Sequence, residues 1–178
     1  MKKIIAYTDG SAVTKYPYLG GFGVYIKTED ITFRKGYFGT KTGRMELMAV
    51  IYTCRAVKNK SNQLIIYSDS QYVCRTCNEW IDNWEKVLFE GKKNVDLLKQ
   101  LIFELRKFKK RPKLIHIKGH QEITDEHTEG NNIADLMANY KSQKTWEEDV
   151  PLTDLSKFEE EDFKVINGKK YYKNGRLY

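Results

Sequence analysis

Cysteine and histidine are scarce in this chain, with three of each among 178 residues. Cys54, Cys74 and Cys77 are too few and odd in number for a disulfide framework, which excludes the small secreted folds stapled by such bridges. Free thiols in a reducing compartment are expected. Cys74-Arg75-Thr76-Cys77 has the spacing of half a zinc site, but no second Cys or His pair accompanies it, so buried helix cysteines are the better reading. No apolar run is long enough to span a bilayer, and Met1-Lys2-Lys3-Ile4-Ile5-Ala6-Tyr7-Thr8-Asp9 meets an acid too early for a secretory signal. The expectation is an intracellular, cytoplasmic protein with no membrane partner. Internal repeats and low-complexity tracts are also missing.

What is there suffices for one buried core: 40% of the residues are apolar, and the length fits one domain plus a tail. Formal net charge is +7, from 31 basic and 24 acidic residues. Residues from Ser142 onward hold 7 basic and 8 acidic side chains, leaving 24 against 16 in residues 1–141. The body is therefore the basic part, which suits a polyanionic partner such as nucleic acid or simply a soluble surface.

Lys3 to Ser11 alternates as a strand, with Ile4, Ala6 and Thr8 on one side and Ile5, Tyr7 and Asp9 on the other. It stops in the turn-forming Asp9-Gly10-Ser11. Residues 20–28 and 31–39 read as two more strands around the polar Glu29-Asp30, completing an antiparallel meander. Leu47, Val50, Ile51, Cys54 and Val57 recur at helical spacing after a start near Thr42, with Glu46 beside the apolar stripe. Leu64 to Asp69 is a short apolar run, the signature of a strand buried on both faces, and it too ends in an acid. Helical periodicity follows from Gln71 to Trp84, and again through Val95, Leu98, Ile102 and Leu105 until Arg111-Pro112 stops it. A last core strand spans Lys113 to Lys118. A polar loop then leads to a helix whose packing stripe is read as Ile133, Leu136, Met137 and Tyr140. The pattern predicts a mixed α/β sheet with helices packed on it.

Residues 142–178 change character, with acidic runs at Glu147-Glu148-Asp149 and Glu159-Glu160-Glu161-Asp162. Phe163 to Ile166, Asn167-Gly168, then Lys169 to Tyr172 has the turn and flanks of a β-hairpin. The predicted organisation is a domain of residues 1–141 and a C-terminal extension of residues 142–178.

Four acids sit at element ends: Asp9, Glu46, Asp69 and Asp135. Singly, each has a bland explanation: a turn, a helix-start charge, a helix cap and a solvated helix residue. Parallel neighbours in a mixed sheet, however, bring the ends of the first and fourth strands together, where chains of this class place ligands. Like charges meeting in a partly buried cleft need protons or cations to neutralise them. Hard oxygen donors without a Cys or His cluster point to magnesium or manganese.

The residues around those acids resemble the type 1 ribonuclease H family. The matching segments are Tyr7-Thr8-Asp9-Gly10-Ser11, Gly43-Arg44-Met45-Glu46-Leu47-Met48-Ala49, Tyr67-Ser68-Asp69-Ser70-Gln71-Tyr72-Val73, Trp80-Ile81-Asp82-Asn83-Trp84, Lys92-Lys93-Asn94-Val95-Asp96-Leu97, Lys118-Gly119-His120, and Asn131 to Ala138. They run in family order across residues 3–140, and several matched blocks are far more specific than one short motif. The resemblance implies a five-stranded mixed sheet of order 3-2-1-4-5 flanked by helices, and hydrolysis of the RNA strand of RNA–DNA hybrids by a monomer. It implies two magnesium ions with substrate bound, or manganese, held by Asp9, Glu46, Asp69 and Asp135. Asp9 would bridge the two ions, and His120 would exchange protons or help product leave. The products would carry 5′-phosphate and 3′-hydroxyl ends.

By the same resemblance, Gly10, Ser11, Arg44, Gln71, Tyr72 and Asn131 line the hybrid groove, while Trp80, Trp84, Lys92 and Lys93 form a basic protrusion on the DNA strand. Trp80 and Trp84 stand one helical turn apart, which fits core packing equally well. The extension, which follows every matched catalytic residue, is expected to be dispensable for chemistry. The sequence departs from the family in Ala12-Val13-Thr14-Lys15-Tyr16-Pro17-Tyr18, which replaces a Gly-Asn-Pro-Gly type loop, and in Gly43, which replaces an asparagine. Hybrid contacts are not carried over at those two places.

Overall fold

The computed structural model of the chain describes residues 1–149 together with the backbone of residues 163–166 and 169–172. Its axis is β1 (Lys3–Ala12), which is antiparallel to β2 (Gly20–Ile26), which in turn pairs antiparallel with β3 (Ile31–Phe38). On the other side of β1, β4 (Gln63–Ser68) and β5 (Lys113–His116) both run parallel, so the expected order 3-2-1-4-5 is present. The sheet has six strands rather than five. β6 (Trp146–Glu148) lies parallel to β3, pairing Gly36 with Trp146 and Phe38 with Glu148, although it falls in the segment read as an extension. A three-residue strand with two acids carries no sequence pattern of its own; it forms because it covers the open edge of β3.

Two layers cover the sheet. The face bearing Ile4 and Ala6 packs against α1 (Thr42–Ala56), with α4 (Val95–Arg106) behind it; Leu47, Val50, Ile51, Leu98, Leu101 and Leu105 are all buried there. Replacing one of these leucines with alanine removes apolar burial and leaves a cavity, a loss of about 2–5 kcal/mol. The opposite face carries α5 (Glu126–Ala138), started by a capping box in which Asp125 and Thr128 satisfy each other's backbone. The expected α5 stripe is displaced: Gly130, Asn131, Ala134 and Ala138 are buried, while Leu136 is 56% exposed. The helix lies so near β2 that a Cβ on Gly23 would stand 2.2 Å from the Ala134 carbonyl, so small residues take the contact face and the larger ones flank it.

Because α5 sits over β1 and β2, β4 is not buried on both faces; Leu64, Ile66 and Ser68 are buried but Ile65 and Tyr67 are half-buried. The helix expected over Gln71 to Trp84 is interrupted as well, into α2 (Gln71–Arg75), a π-helical stretch over Thr76–Trp80, and α3 (Ile81–Lys86). Within that wider stretch Asn78 donates to the Leu114 carbonyl and accepts from the Leu114 N–H, at 2.8 and 3.2 Å, satisfying the outer edge of β5. The three cysteines are buried free thiols, and burial pushes Cys54 up to about 12 and Cys74 up to about 11, which leaves them unreactive.

β7 (Phe163–Ile166) and β8 (Lys169–Tyr172) form the expected antiparallel hairpin, with Ile166 paired to Lys169. The acidic run from Glu159 to Asp162 lies outside the described residues. Among those described, no helix is long and apolar enough to cross a membrane.

Candidate active site

The register of β1 on β4 builds the site. Thr8 is paired with Ser68 in parallel, so the next residue on each strand, Asp9 and Asp69, emerges at neighbouring positions about 4.8 Å apart across the sheet. Glu46 arrives from α1, which approaches the end of β1 so closely that a Cβ on Gly10 would stand 2.3 Å from the Glu46 nitrogen. Gly10 is thus the residue that admits α1 to the strand end. Ser70 caps α2 by accepting from the Val73 N–H, and its hydroxyl donates to Glu46 Oε2 at 2.7 Å. One Ser70 hydroxyl therefore ties the segment after β4 to the carboxylate on α1.

Asp135 comes from the opposite face, on α5, and lies close enough to Asp9 to raise its carboxyl. One turn earlier, Asn131 directs Nδ2 towards Asp69 Oδ2 at 3.4 Å, while its buried Oδ1 has no hydrogen-bond partner among the described residues. Gly119 abuts Asp69 so closely that a Cβ would stand 2.3 Å from Oδ2. Next to it, His120 adopts a left-handed backbone, φ 51°, and holds Nδ1 4.0 Å from Asp135 Oδ2 with its side chain 83% exposed.

Electrostatics follow from this crowding. Burial, then the charge of Asp69 and the nearness of Asp135, push the Asp9 carboxyl up to about 8 against the opposing Gly10 N–H, which donates at 2.8 Å. Glu46 is raised too, by burial and by Asp69, while Ser70 pulls it back. At neutral pH and without cations the cluster thus retains a proton. Hard-oxygen side chains raised by burial and by one another's charge are donors of the kind a divalent cation takes. Among the described residues, however, no three His, Cys, Asp or Glu side chains are grouped so that they could hold a metal ion as they stand.

The residues expected to line a groove fall into two groups. Gln71, Lys92 and Lys93 are exposed and Tyr72 is half-buried. Trp80 and Trp84 are half-buried and face each other with centroids 5.3 Å apart; the Arg75 guanidinium covers Trp80 at 4.5 Å and the Lys92 ammonium covers Trp84 at 4.9 Å. Each ring is thus covered by a cation, and Trp84 also packs against the core. Arg44, in contrast, does not face the groove. It is 5% exposed, donating from Nη1 and Nη2 to Asp96 at 2.9 and 2.8 Å and from Nε and Nη2 to Asp149 at 2.6 and 3.0 Å. Ser11 is likewise engaged, donating to the Ala138 carbonyl at 2.9 Å. Four residues escaped sequence reasoning: Ser70, readable as a helix cap; Gly119, whose matched position gave no hint of its contact with Asp69; and Asp96 and Asp149, whose common partner lies 52 and 105 residues away.

Asp9 within β1 and Asp69 just beyond β4, joined by acids from a helix on each face, make up the candidate site on a mixed sheet of ribonuclease H-like order. The fold recurs in solved structures. It matches the prototype foamy virus protease-reverse transcriptase with a TM-score of 0.69 and 25% identity over 78% of this chain, which spans only 20% of that longer chain. A foamy viral chain solved in complex with dsDNA matches with a TM-score of 0.62 and 27% identity, covering 76% of this chain and 90% of that one. The family described as RNase H matches residues 1–143. Among curated relatives, a Ribonuclease HI of Helicobacter pylori is 35% identical over 81% of this chain and 96% of its own length. A Ribonuclease H of Campylobacter jejuni is 38% identical over 57% of this chain and 70% of its own. The chain belongs to the type 1 RNase H family, and so to the ribonuclease H hydrolases.

Proposed function

We propose that this chain cuts the RNA strand of RNA–DNA hybrids internally, leaving 5′-phosphate and 3′-hydroxyl ends, with two divalent metal ions held by Asp9, Glu46, Asp69 and Asp135. The observation that carries this reading is the convergence of those four carboxylates at one end of the sheet, with Asp9 pushed up to about 8 by burial and then by Asp69 and Asp135. Magnesium or manganese suits such donors. Ions held by these four carboxylates would supply charge stabilisation to the oxygens that exchange at phosphorus. Ser70 orients Glu46, Asn131 orients Asp69, and the exposed His120 exchanges a proton beside Asp135 or assists product exit. The family name shared by the Helicobacter and Campylobacter relatives supports hybrid cleavage, and the foamy viral neighbour in complex with dsDNA supports a duplex-sized groove.

The test is incubation of matched RNA–DNA, RNA–RNA and DNA–DNA duplexes with the protein, with magnesium and with chelator. Cleavage confined to the RNA strand of the hybrid and abolished by chelator is the expected result. Cleavage of DNA–DNA, or undiminished cleavage in chelator, would overturn it.

A further inference from the structure

The loop between β1 and β2 presents two large aromatic side chains to solvent where the chain would otherwise hide them. Tyr16 is 86% exposed and Tyr18 45% exposed, and their rings meet edge to face with centroids 6.1 Å apart. The backbone beneath them is fixed. Val13 donates to Leu19 at 2.8 Å and Tyr18 to Lys15 at 2.7 Å, closing the loop on itself; Gly39 donates to Pro17 at 2.9 Å and Thr40 to Tyr18 at 3.2 Å, tying it to the segment that enters α1. Bracing the backbone removes the part of the ordering entropy that the loop would otherwise lose on binding, and exposed aromatic pairs mark contact surfaces.

The position of this pair is set by the chain. β1 runs from Asp9 to Ala12 and into the loop, so the loop begins on the order of 10 Å beyond the carboxylates, at about 3.3 Å per residue. It lies at the same end of the sheet, over the N-terminus of the helix that carries Glu46. Lys15 in the loop and Lys41 just before α1 are both exposed. About 10 Å is the length of roughly three nucleotides along one strand of a duplex.

Resting on the hybrid-cleaving reading, we propose that Tyr16 and Tyr18, with Lys15 and Lys41, grip the sugar–phosphate backbone of the hybrid about three nucleotides from the cut, Tyr16 packing on sugar and the lysines neutralising phosphates. The platform supplies binding, not chemistry. A flat ring accepts a sugar face without reading the base, so the contact is independent of sequence.

The test is steady-state cleavage of a fluorescent hybrid of 18 base pairs by the full chain, its Tyr16→Ala, Tyr16→Phe and Lys15→Ala forms, and the Tyr16→Ala/Tyr18→Ala form. Tyr16→Ala is expected to raise KM about five- to tenfold with kcat within twofold, and Tyr16→Phe to keep the KM of the unaltered chain. Lys15→Ala is expected to flatten the dependence of log KM on log salt by about one charge. Hybrids shortened stepwise from either end should erase the difference between Tyr16→Ala and the unaltered chain once the duplex ends short of the loop. A KM for the double form within twofold of the unaltered chain, while that chain cleaves the hybrid normally, would overturn the platform alone. Failure of the unaltered chain to cleave the hybrid would overturn the functional reading and the platform with it.

Discussion

Asp9 concentrates the consequences of folding in one side chain. In metal-free protein its carboxyl is pushed up to about 8, whereas in the unfolded chain it returns to an ordinary value near 4. The folded state then holds a proton that the unfolded state has lost, so this contribution to stability is complete below about pH 4 and is lost as pH rises through 8. Melting temperature in chelator should fall between pH 5 and pH 9. Asp9→Asn should flatten that slope and melt a few degrees higher at pH 9, about what ~1 kcal/mol gives a chain of this size. Scanning calorimetry of both forms checks it, and an unchanged slope would show that Asp9 is not crowded. The same variant should lose cleavage while hybrid binding persists. His120→Ala is a milder change: an exposed side chain 4.0 Å from Asp135 assists rather than holds the site, so single-turnover cleavage should slow by roughly 10²- to 10⁴-fold without vanishing. A folded but wholly inactive variant would assign His120 a larger part.

At the scale of elements, β6 and Asp149 revise the reading of the C-terminal segment. Trp146 to Glu148 covers the β3 edge, and the buried Asp149 carboxylate accepts from Arg44 and from the Thr40 hydroxyl, the latter at 2.7 Å. Arg44 lies in the first turn of α1, two residues from Glu46, and Asp96 holds it from α4. Three elements thus meet on one guanidinium. Removing Arg44 leaves two buried carboxylates without their cation, so Arg44→Ala should cost about 3–5 kcal/mol. Asp149→Ala leaves Arg44 still paired with Asp96 and should cost less, on the order of 1–3 kcal/mol. Denaturant titration of both variants gives the comparison, and equal losses would refute the shared arrangement. A chain ending at residue 141 should melt well below the full chain, because it loses β6 and Asp149 together. The expectation that residues 142–178 are dispensable for chemistry then becomes a question of fold as much as of catalysis.

For the whole molecule, the basic body should make hybrid binding strongly salt-dependent, because each phosphate neutralised releases a counterion. Affinity is expected to drop at least tenfold between 50 and 200 mM salt in a non-cleaving background, measured by anisotropy. An affinity flat across that range would separate the charge from the binding. Strand alternation and the helical stripe of α1 were legible in the sequence because they depend on neighbours a few residues away, whereas the turn read at Asp9-Gly10-Ser11 is strand, since β1 continues on β2 to Ala12. Asp9, Glu46, Asp69 and Asp135 were legible too, through matched blocks of residues rather than through periodicity. What only the tertiary structure decided was set by distance along the chain and by closeness in space. The small-residue face of α5 follows from how near the helix lies to β2, β6 forms because β3 offers an edge, and Arg44 turns inward because carboxylates 52 and 105 residues away converge on it. A sequence records which charges exist; the packing of helices on the sheet determines which of them meet without water between them, and there pairing becomes obligatory.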